Sequence, residues 1–316
     1  MPHRPVLLGV VGDSAAGKTT ISAGIADILG PDQVTVICVD DYHKYNRSQR
    51  KELGITPLHP DCNFIDIMEQ HVHALADGKP ILKPVYNHAR GDFDPPEYIK
   101  PKQYVIIEGL LAFHSEKLRE AFHEKVYLDP PEELRRAWKI KRDCAKRGYK
   151  PEEVILELER REHDSATHIR SQKQWADLVV SFYPSSEPPD NEHLNVRLTL
   201  RPSLPHPDLS QVVAGSSSAL RLTIERERGR LSELLDVDGL VNPEQVEAIE
   251  QAVWSQQPEL RHWLGDDVGH FADGHENRQS RPLAVSQLLI AYHLLLTRLA
   301  KEQLRQRLLA RETAVG

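Results

Sequence analysis

The stretch Gly12-Asp13-Ser14-Ala15-Ala16-Gly17-Lys18-Thr19 fits the spacing G-x-x-x-x-G-K-[ST] without a mismatch. Each residue type has a chemical reason. The glycines let backbone N–H groups curl around phosphate oxygens, Lys18 can reach β- and γ-phosphates, and the Thr19 hydroxyl can ligate Mg²⁺. The expected phosphate-binding set is therefore Gly12, Asp13, Ser14, Ala15, Ala16, Gly17, Lys18, Thr19 and Thr20. A nucleoside triphosphate is the expected ligand, which leaves the phosphoryl acceptor to be found.

Three further groups could serve it. Asp40, Asp41 and Glu108 follow apolar runs and so fall at the carboxyl ends of strands, where open parallel sheets bind ligands. A kinase acting on a hydroxyl needs one carboxylate to orient and deprotonate the acceptor and another to help hold Mg²⁺. Asp40 suits the first task and Glu108 the second, so Thr19, Glu108 and Asp40 form the expected metal set. The segment 131–147 places Lys139, Arg142 and Asp143 at i, i+3 and i+4 on one helical face, with Arg147 one turn beyond. Such a cationic cluster, in a chain of net charge −7, suits charge spreading onto a moving phosphoryl group. The plainer reading is a solvated helix laced with ion pairs. Third, His43 and Arg47, with Tyr86, His88 and Arg90, could clamp a second anion such as a sugar phosphate.

These groups need a scaffold. Val6–Val11, Val34–Val39, Tyr104–Ile107, Lys125–Asp129 and Asp177–Phe182 read as buried strands. Helices are expected from the phosphate loop to Leu29, over 63–76, over 131–147 and over 151–161; residues 42–62 read as a polar loop. The fold class is α/β: a P-loop NTPase-type, mostly parallel sheet with helices on both faces, plus a smaller C-terminal α+β region. A boundary near 190 follows from the proline-rich run 183–190, giving a kinase domain over 1–190 and an accessory or oligomerisation region over 191–316. In the latter, 194–200 and 220–224 read as two antiparallel strands with a long connection, Asn242-Pro243 as a helix start, and Pro282 onward as a long helix. Residues 221–230 read as a solvated strand edge. His270, Asp273, His275 and Glu276 lie in a loop and carry no metal expectation.

Composition narrows the classes. Net charge −7 disfavours a general nucleic-acid binder. Cys38, Cys62 and Cys144 form no paired motif, which suits a reducing compartment. Met1–Pro5 leads directly into the first strand and no membrane span is expected, so the expected location is the cytoplasm. A homo-oligomer, with a dimer favoured, is the expected assembly.

Together, Gly12–Thr19, Asp40-Asp-Tyr-His43, Asn46-Arg47, Pro84–His88, Asp94–Glu97, Ile107-Glu-Gly109 and Trp138–Asp143 with Arg147-Gly148 resemble the phosphoribulokinase and uridine kinase family over about Val6 to Phe182. The resemblance implies ATP with Mg²⁺, and a sugar phosphate as partner. Its phosphoribulokinase branch phosphorylates the C1 hydroxyl of ribulose 5-phosphate, a Calvin cycle step. By resemblance Asp40 matches the catalytic base, and His43, Arg47 and His88 match sugar-phosphate contacts. Glu108 matches the acid ending the Walker B strand. Lys139, Arg142, Asp143 and Arg147 match a mobile lid, and Arg161 joins the substrate set. Uridine kinases share the phosphate loop and lid. They typically carry Tyr-Asp-Phe where this chain has Tyr86-Asn87-His88, and an aromatic where it has His43. Kinases for a nucleoside or another pentose phosphate, and a non-catalytic nucleotide-binding regulator, are the alternatives. Plant-type members are switched by a disulfide whose second position is Cys38 here; Ala16 stands at the first, so no such switch is expected.

Overall fold

The computed structural model describes residues 4–185, 193–215, 219–227, 229–263, 268–273 and 276–315. The kinase half runs β1 (Val6–Gly12), α1 (Lys18–Leu29), β2 (Val34–Cys38), α2 (Arg47–Leu53), α3 (Ile65–Ala76), β3 (Ile81–Asn87), β4 (Asp92–Ile99), β5 (Tyr104–Gly109), α4 (Glu116–Ala121), β6 (Glu124–Leu128), α5 (Glu132–Arg147), α6 (Pro151–Asp164) and β7 (Leu178–Pro184). There follow β8 (Leu194–Leu200), α7 (Leu209–Gly215), β9 (Leu220–Glu227), β10 (Arg230–Val237), α8 (Pro243–Ser255), β11 (His270–Asp273), β12 (Glu276–Gln279) and α9 (Arg281–Val315).

Eight strands form one sheet in the order β2-β5-β1-β6-β7-β8-β10-β9. The first five run parallel; β8, β10 and β9 add on as antiparallel neighbours. The mostly parallel α/β sheet expected from the sequence is thus present, and it continues across residue 190. Alternation along β1 and β5 splits the core by face. Val6, Leu8, Val10, Tyr104 and Ile106 meet α1, α8 and α9; Leu7, Val11, Val105 and Ile107 meet α3 and α4. Parallel strands buried on both faces explain why the apolar runs at 6–11 and 104–107 are legible.

Several expectations need correction. β2 is an edge strand, not a fully buried one, and Val36 is exposed. The supposed loop 42–62 contains α2, opened by a reciprocal cap between Asn46 and Gln49. A hairpin, β3–β4, and the helix α4 also lie where no element was expected. β8 and β9 are not partners, since β10 lies between them. The proline-rich run after Pro184, Ser216–Ser218 and His275 lie largely or wholly outside the described residues.

α9 is long and apolar enough over Arg281–Arg307 to cross a membrane by length and composition, but 72% of its apolar window is buried inside the protein, as in a core helix. It lies along α1. There Gln287 donates to the Thr20 carbonyl (3.1 Å) and accepts from the Gly269 N–H (2.8 Å). A β-carbon at Gly24 would come within 2.1 Å of the Gln287 amide, so a larger residue there would displace the Gln287 side chain from its place between the two helices. A second buried contact ties α9 to β6. His293 Nδ1 lies 3.0 Å from Glu124 Oε1, His206 Nδ1 lies 3.0 Å from His293 Nε2, and His206 Nε2 lies 2.8 Å from the Arg201 carbonyl. That carbonyl can only accept, so every proton in the relay is directed toward it. Glu124 is then the neutral acid donating to His293, in keeping with burial pushing Glu124 well up and His293 down to about 4.

Candidate active site

The phosphate loop joins β1 to α1. Ala15 (φ 68°) and Gly17 (φ 95°) both take the left-handed backbone conformation, which turns neighbouring N–H groups toward one point. The Lys18 ammonium donates to the carbonyls of Gly12 (2.9 Å) and Asp13 (3.0 Å), which holds it over the loop. Asp13 is buried and braces the turn. Its carboxylate accepts from the Ser14 N–H (2.6 Å) and from the hydroxyl of Ser165, and Arg135 lies 3.7 Å away. Arg135 also donates to the Ser14 carbonyl (2.9 Å). Arg135 is one of the cations of the segment 131–147, on the face of Lys139 and Arg142 at i, i+4 and i+7, but its brace on the phosphate loop was not expected from the sequence, and neither was Ser165. Ser165 lies 152 residues from its partner and gives no local signal.

Beside the loop, Glu108 ends β5, the strand between β1 and β2. The Thr19 hydroxyl donates to Glu108 Oε1 (2.9 Å), while Oε2 is buried with no hydrogen-bond partner. Burial pushes the Glu108 carboxyl up, and Ser22, Thr19 and Lys18, in that order, work against that shift. A buried carboxylate flanked by the Thr19 and Ser22 hydroxyls is an all-oxygen donor set, so the residues present fit a hard cation such as Mg²⁺. Asp40 stands in the short turn Val39–Asp41 after β2, and its Oδ1 accepts the Leu110 N–H (2.8 Å). Gly109 (φ 155°) makes this juxtaposition possible: a β-carbon there would lie 2.3 Å from Val39 and 2.9 Å from Asp40 Oδ1. Asp41 has a different task. It accepts from the buried Lys83 ammonium and from the Tyr86 N–H (3.1 Å), fastening the β3–β4 hairpin to the end of β2.

That hairpin brings Tyr86 and His88 to His43. The rings of His43 and Tyr86 meet edge to face at 4.8 Å, and those of Tyr86 and His88 at 5.1 Å. His43 is buried against Asn63 (2.7 Å), and burial, with Arg50 second, takes its imidazole down to about 4. His88 is also lowered, mainly by burial, although Asp40 pulls it the other way. Arg47 caps this cluster from an exposed position and donates to the His88 carbonyl. Arg50, unexpected from the sequence, donates to the Tyr86 hydroxyl (2.6 Å), and its guanidinium lies 4.9 Å from the Tyr86 ring centre.

α5 turns a charged face inward. Arg135, Lys139 and Asp143 are each under 5% exposed, which rules out the solvated-helix reading. Asp143 carries three cations: Lys139 at 2.8 Å, Arg142 at 2.9 Å and Arg147 at 3.5 Å. Burial takes Lys139 down to about 8 despite Asp143. Burial also works to raise Asp143, but Lys139 and Arg142 overcome it and hold the carboxyl below its usual range. Arg142 reaches the Ser14 hydroxyl (3.5 Å) at one end of the site, while Arg147 is close enough to His88 and Arg47 to act on them electrostatically at the other. Arg161 pairs with Glu157 (2.7 Å) and contributes to the positive surroundings of Lys139. The structure therefore gathers the phosphate loop, Glu108, Asp40, the His43–Arg47–Tyr86–His88 cluster and the α5 cations around one cleft. Arg161 stands behind the cations.

A family model described as "Phosphoribulokinase / Uridine kinase family" matches residues 7–187. The chain is 42% identical over 197 residues to a phosphoribulokinase of Synechocystis sp., covering 62% of this chain and 59% of that protein. It is 38% identical over 216 residues to a chloroplastic phosphoribulokinase of Triticum aestivum, covering 63% and 54%. The chain thus spans little more than half the length of these curated relatives. A solved phosphoribulokinase from Rhodobacter spheroides shares the fold, with a TM-score of 0.57 at 18% identity, over 83% of this chain and 97% of that one.

Proposed function

We propose, from the premise that this chain belongs to the phosphoribulokinase / uridine kinase family, that it transfers the γ-phosphoryl group of ATP to the C1 hydroxyl of D-ribulose 5-phosphate. The observation that carries the reading is the acceptor side of the cleft, where Arg47, Arg50, His43 and His88 converge beside Asp40 and within the field of Arg147. A nucleoside needs stacking surface and brings no phosphate; this cluster offers cations and donors for an acceptor that is already anionic.

In this reading the phosphate loop and Lys18 hold the β- and γ-phosphates. Thr19 and Glu108, with Asp40 nearby, would hold Mg²⁺, which when bound neutralises charge on the phosphates. Asp40, fixed by the Leu110 N–H, takes the C1 hydroxyl proton as that oxygen bonds to the γ-phosphorus and ADP departs. Arg47, His43, Tyr86 and His88 seat the sugar phosphate. Arg142, Lys139 and Arg147 stabilise charge on the moving phosphoryl group, and Asp143 sets their positions. Arg161 supports Lys139. Residues 1–190 carry this chemistry, residues 191–316 serve as an accessory or oligomerisation region with a dimer favoured, and the setting is the cytoplasm.

ADP release measured with ribulose 5-phosphate, other pentose phosphates and uridine tests the proposal. Turnover with ribulose 5-phosphate at least a hundredfold above uridine is the expected result, and a discrimination of roughly 10⁴–10⁵ is the size expected when buried polar groups lose their partner. Equal or better turnover of uridine overturns it, as does ATP binding without transfer to any acceptor.

A further inference from the structure

We propose that His59, Asp164 and His168 form a second metal site, for a divalent transition ion of the zinc class. These residues come from two segments far apart in the chain. His59 leads the turn Pro60–Cys62, Asp164 ends α6, and His168 lies in the widened helical turn Ser165–Ile169 that follows. Their ligand atoms all lie within 4.8 Å of one another, and all three residues are half-buried. Among the described residues no other grouping of three or more histidines, cysteines or carboxylates comes as close.

The donor types choose the metal. Ligands of a tetrahedral zinc at about 2.0–2.1 Å stand roughly 3.4 Å apart, so small side-chain rotations close the cluster. Two imidazoles and a carboxylate match zinc, cobalt or nickel, whereas Mg²⁺ prefers oxygens alone. Supporting contacts already orient the donors. Thr56 donates to Asp164 Oδ2 (2.6 Å), as outer groups do for ligating carboxylates. His59 Nδ1 accepts the Asp61 N–H (3.2 Å), which leaves Nε2 for a metal. The His59 and His168 rings meet edge to face at 4.8 Å, and the ring of His114 lies 6.4 Å from that of His168.

The placement gives the site a consequence. Asp164 precedes Ser165, which holds Asp13 of the phosphate loop, and His59 lies four residues before Asn63, which holds His43. A bound ion would link the brace of the nucleotide side to the support of the acceptor side. The site does not depend on which acceptor the enzyme uses.

Chelator-stripped full-length protein should take up one Zn²⁺ per chain in equilibrium dialysis, and Co²⁺ in its place should give strong visible absorption. His59→Gln and His168→Gln should each weaken Zn²⁺ binding roughly ten- to a hundredfold. His73→Gln, an exposed histidine on α3, should not. Equal melting midpoints in chelator for wild type and variants show that folding is intact, and either single variant suffices if the other fails to fold. Failure of the wild type to hold stoichiometric Zn²⁺ against a weak chelator overturns the proposal. So does undiminished binding by both variants, which would mark the uptake as scattered surface histidines.

Discussion

Replacing Asp143 by asparagine probes the arrangement that sets this site apart from an ordinary phosphate loop. The carboxylate is almost fully buried and lies 2.8 Å from Lys139, 2.9 Å from Arg142 and 3.5 Å from Arg147. Removing one member of a buried ion pair costs about 3–5 kcal/mol, because the remaining charge is left unpaired. Here the loss is capped. Lys139 already sits at about 8, and without its anion it falls toward neutrality and sheds its proton. A cost of roughly 3 kcal/mol, the low end of that range, would lower the melting midpoint by several degrees. The kinetic effect is larger in proportion. With Lys139 neutral and Arg142 and Arg147 no longer held, kcat should fall roughly a hundred- to a thousandfold, as when a preorganised donor to transition-state charge is lost. KM for ATP should change little, since Lys18 and the loop amides are untouched. Steady-state kinetics across pH, with a thermal melt, would measure all three. In the wild type activity should decline above about pH 8 as Lys139 deprotonates, and the variant should lose that limb. A lower melting midpoint with kcat and pH profile unchanged would show that Asp143 only holds α5 together, and the reasoning would fail.

Three further outcomes follow from the geometry. Asp40→Asn keeps the shape that accepts the Leu110 N–H but removes the base, so kcat should drop by roughly 10²–10⁴ while ATP affinity by calorimetry stays within a few-fold; the reverse pattern would reassign Asp40 to nucleotide binding. Gly109→Ala forces a β-carbon to 2.3 Å from Val39 and 2.9 Å from Asp40 Oδ1, and should cost roughly 1–3 kcal/mol in urea unfolding and misplace the base; wild-type stability and rate would refute that. His43, His123 and His293 are all taken down to about 4, chiefly by burial, so each stabilises the fold fully above its unfolded value near 6.5 and loses that contribution as pH falls toward 4. Glu124, raised well above its usual range, has the opposite sign and favours the fold at low pH. With these histidines and His88, which burial also lowers, against Glu124 and Glu108, urea midpoints should fall between pH 6.5 and 4, and flat midpoints would contradict the assignment.

How much of this was legible depended on whether the signal was local. Val6–Gly12 and Tyr104–Gly109 are buried along their whole length, so hydrophobicity alone marks them as central strands and puts Gly17–Thr19 and Glu108 at their carboxyl ends. The face of α5 was legible by spacing, though its burial was not, because charged residues seldom turn inward without partners. α2 buries no residue, so its only local mark was the Asn46–Gln49 cap. The β3–β4 hairpin carries Pro84, Pro95 and Pro96, which argue against a strand; it tolerates them as an isolated two-stranded ribbon with an irregularity between Lys83 and Val85. Hairpin and Asp41 clamp together place Tyr86 and His88, so the acceptor side was visible as a set of residue types and not as a shape. The Ser165–Asp13, Thr56–Asp164 and Gln287–Thr20 contacts join positions that only the finished fold brings together.

The fit of Gln287 against Gly24 bears on where motion can occur. Gln287 ties the back of α1 to α9 through the Thr20 carbonyl, so a tilt of α1 toward a nucleotide would have to break that contact or carry α9 with it. Residues near the carboxyl end would then govern how firmly ATP is seated without ever touching it, and variation there would tune the kinase from behind.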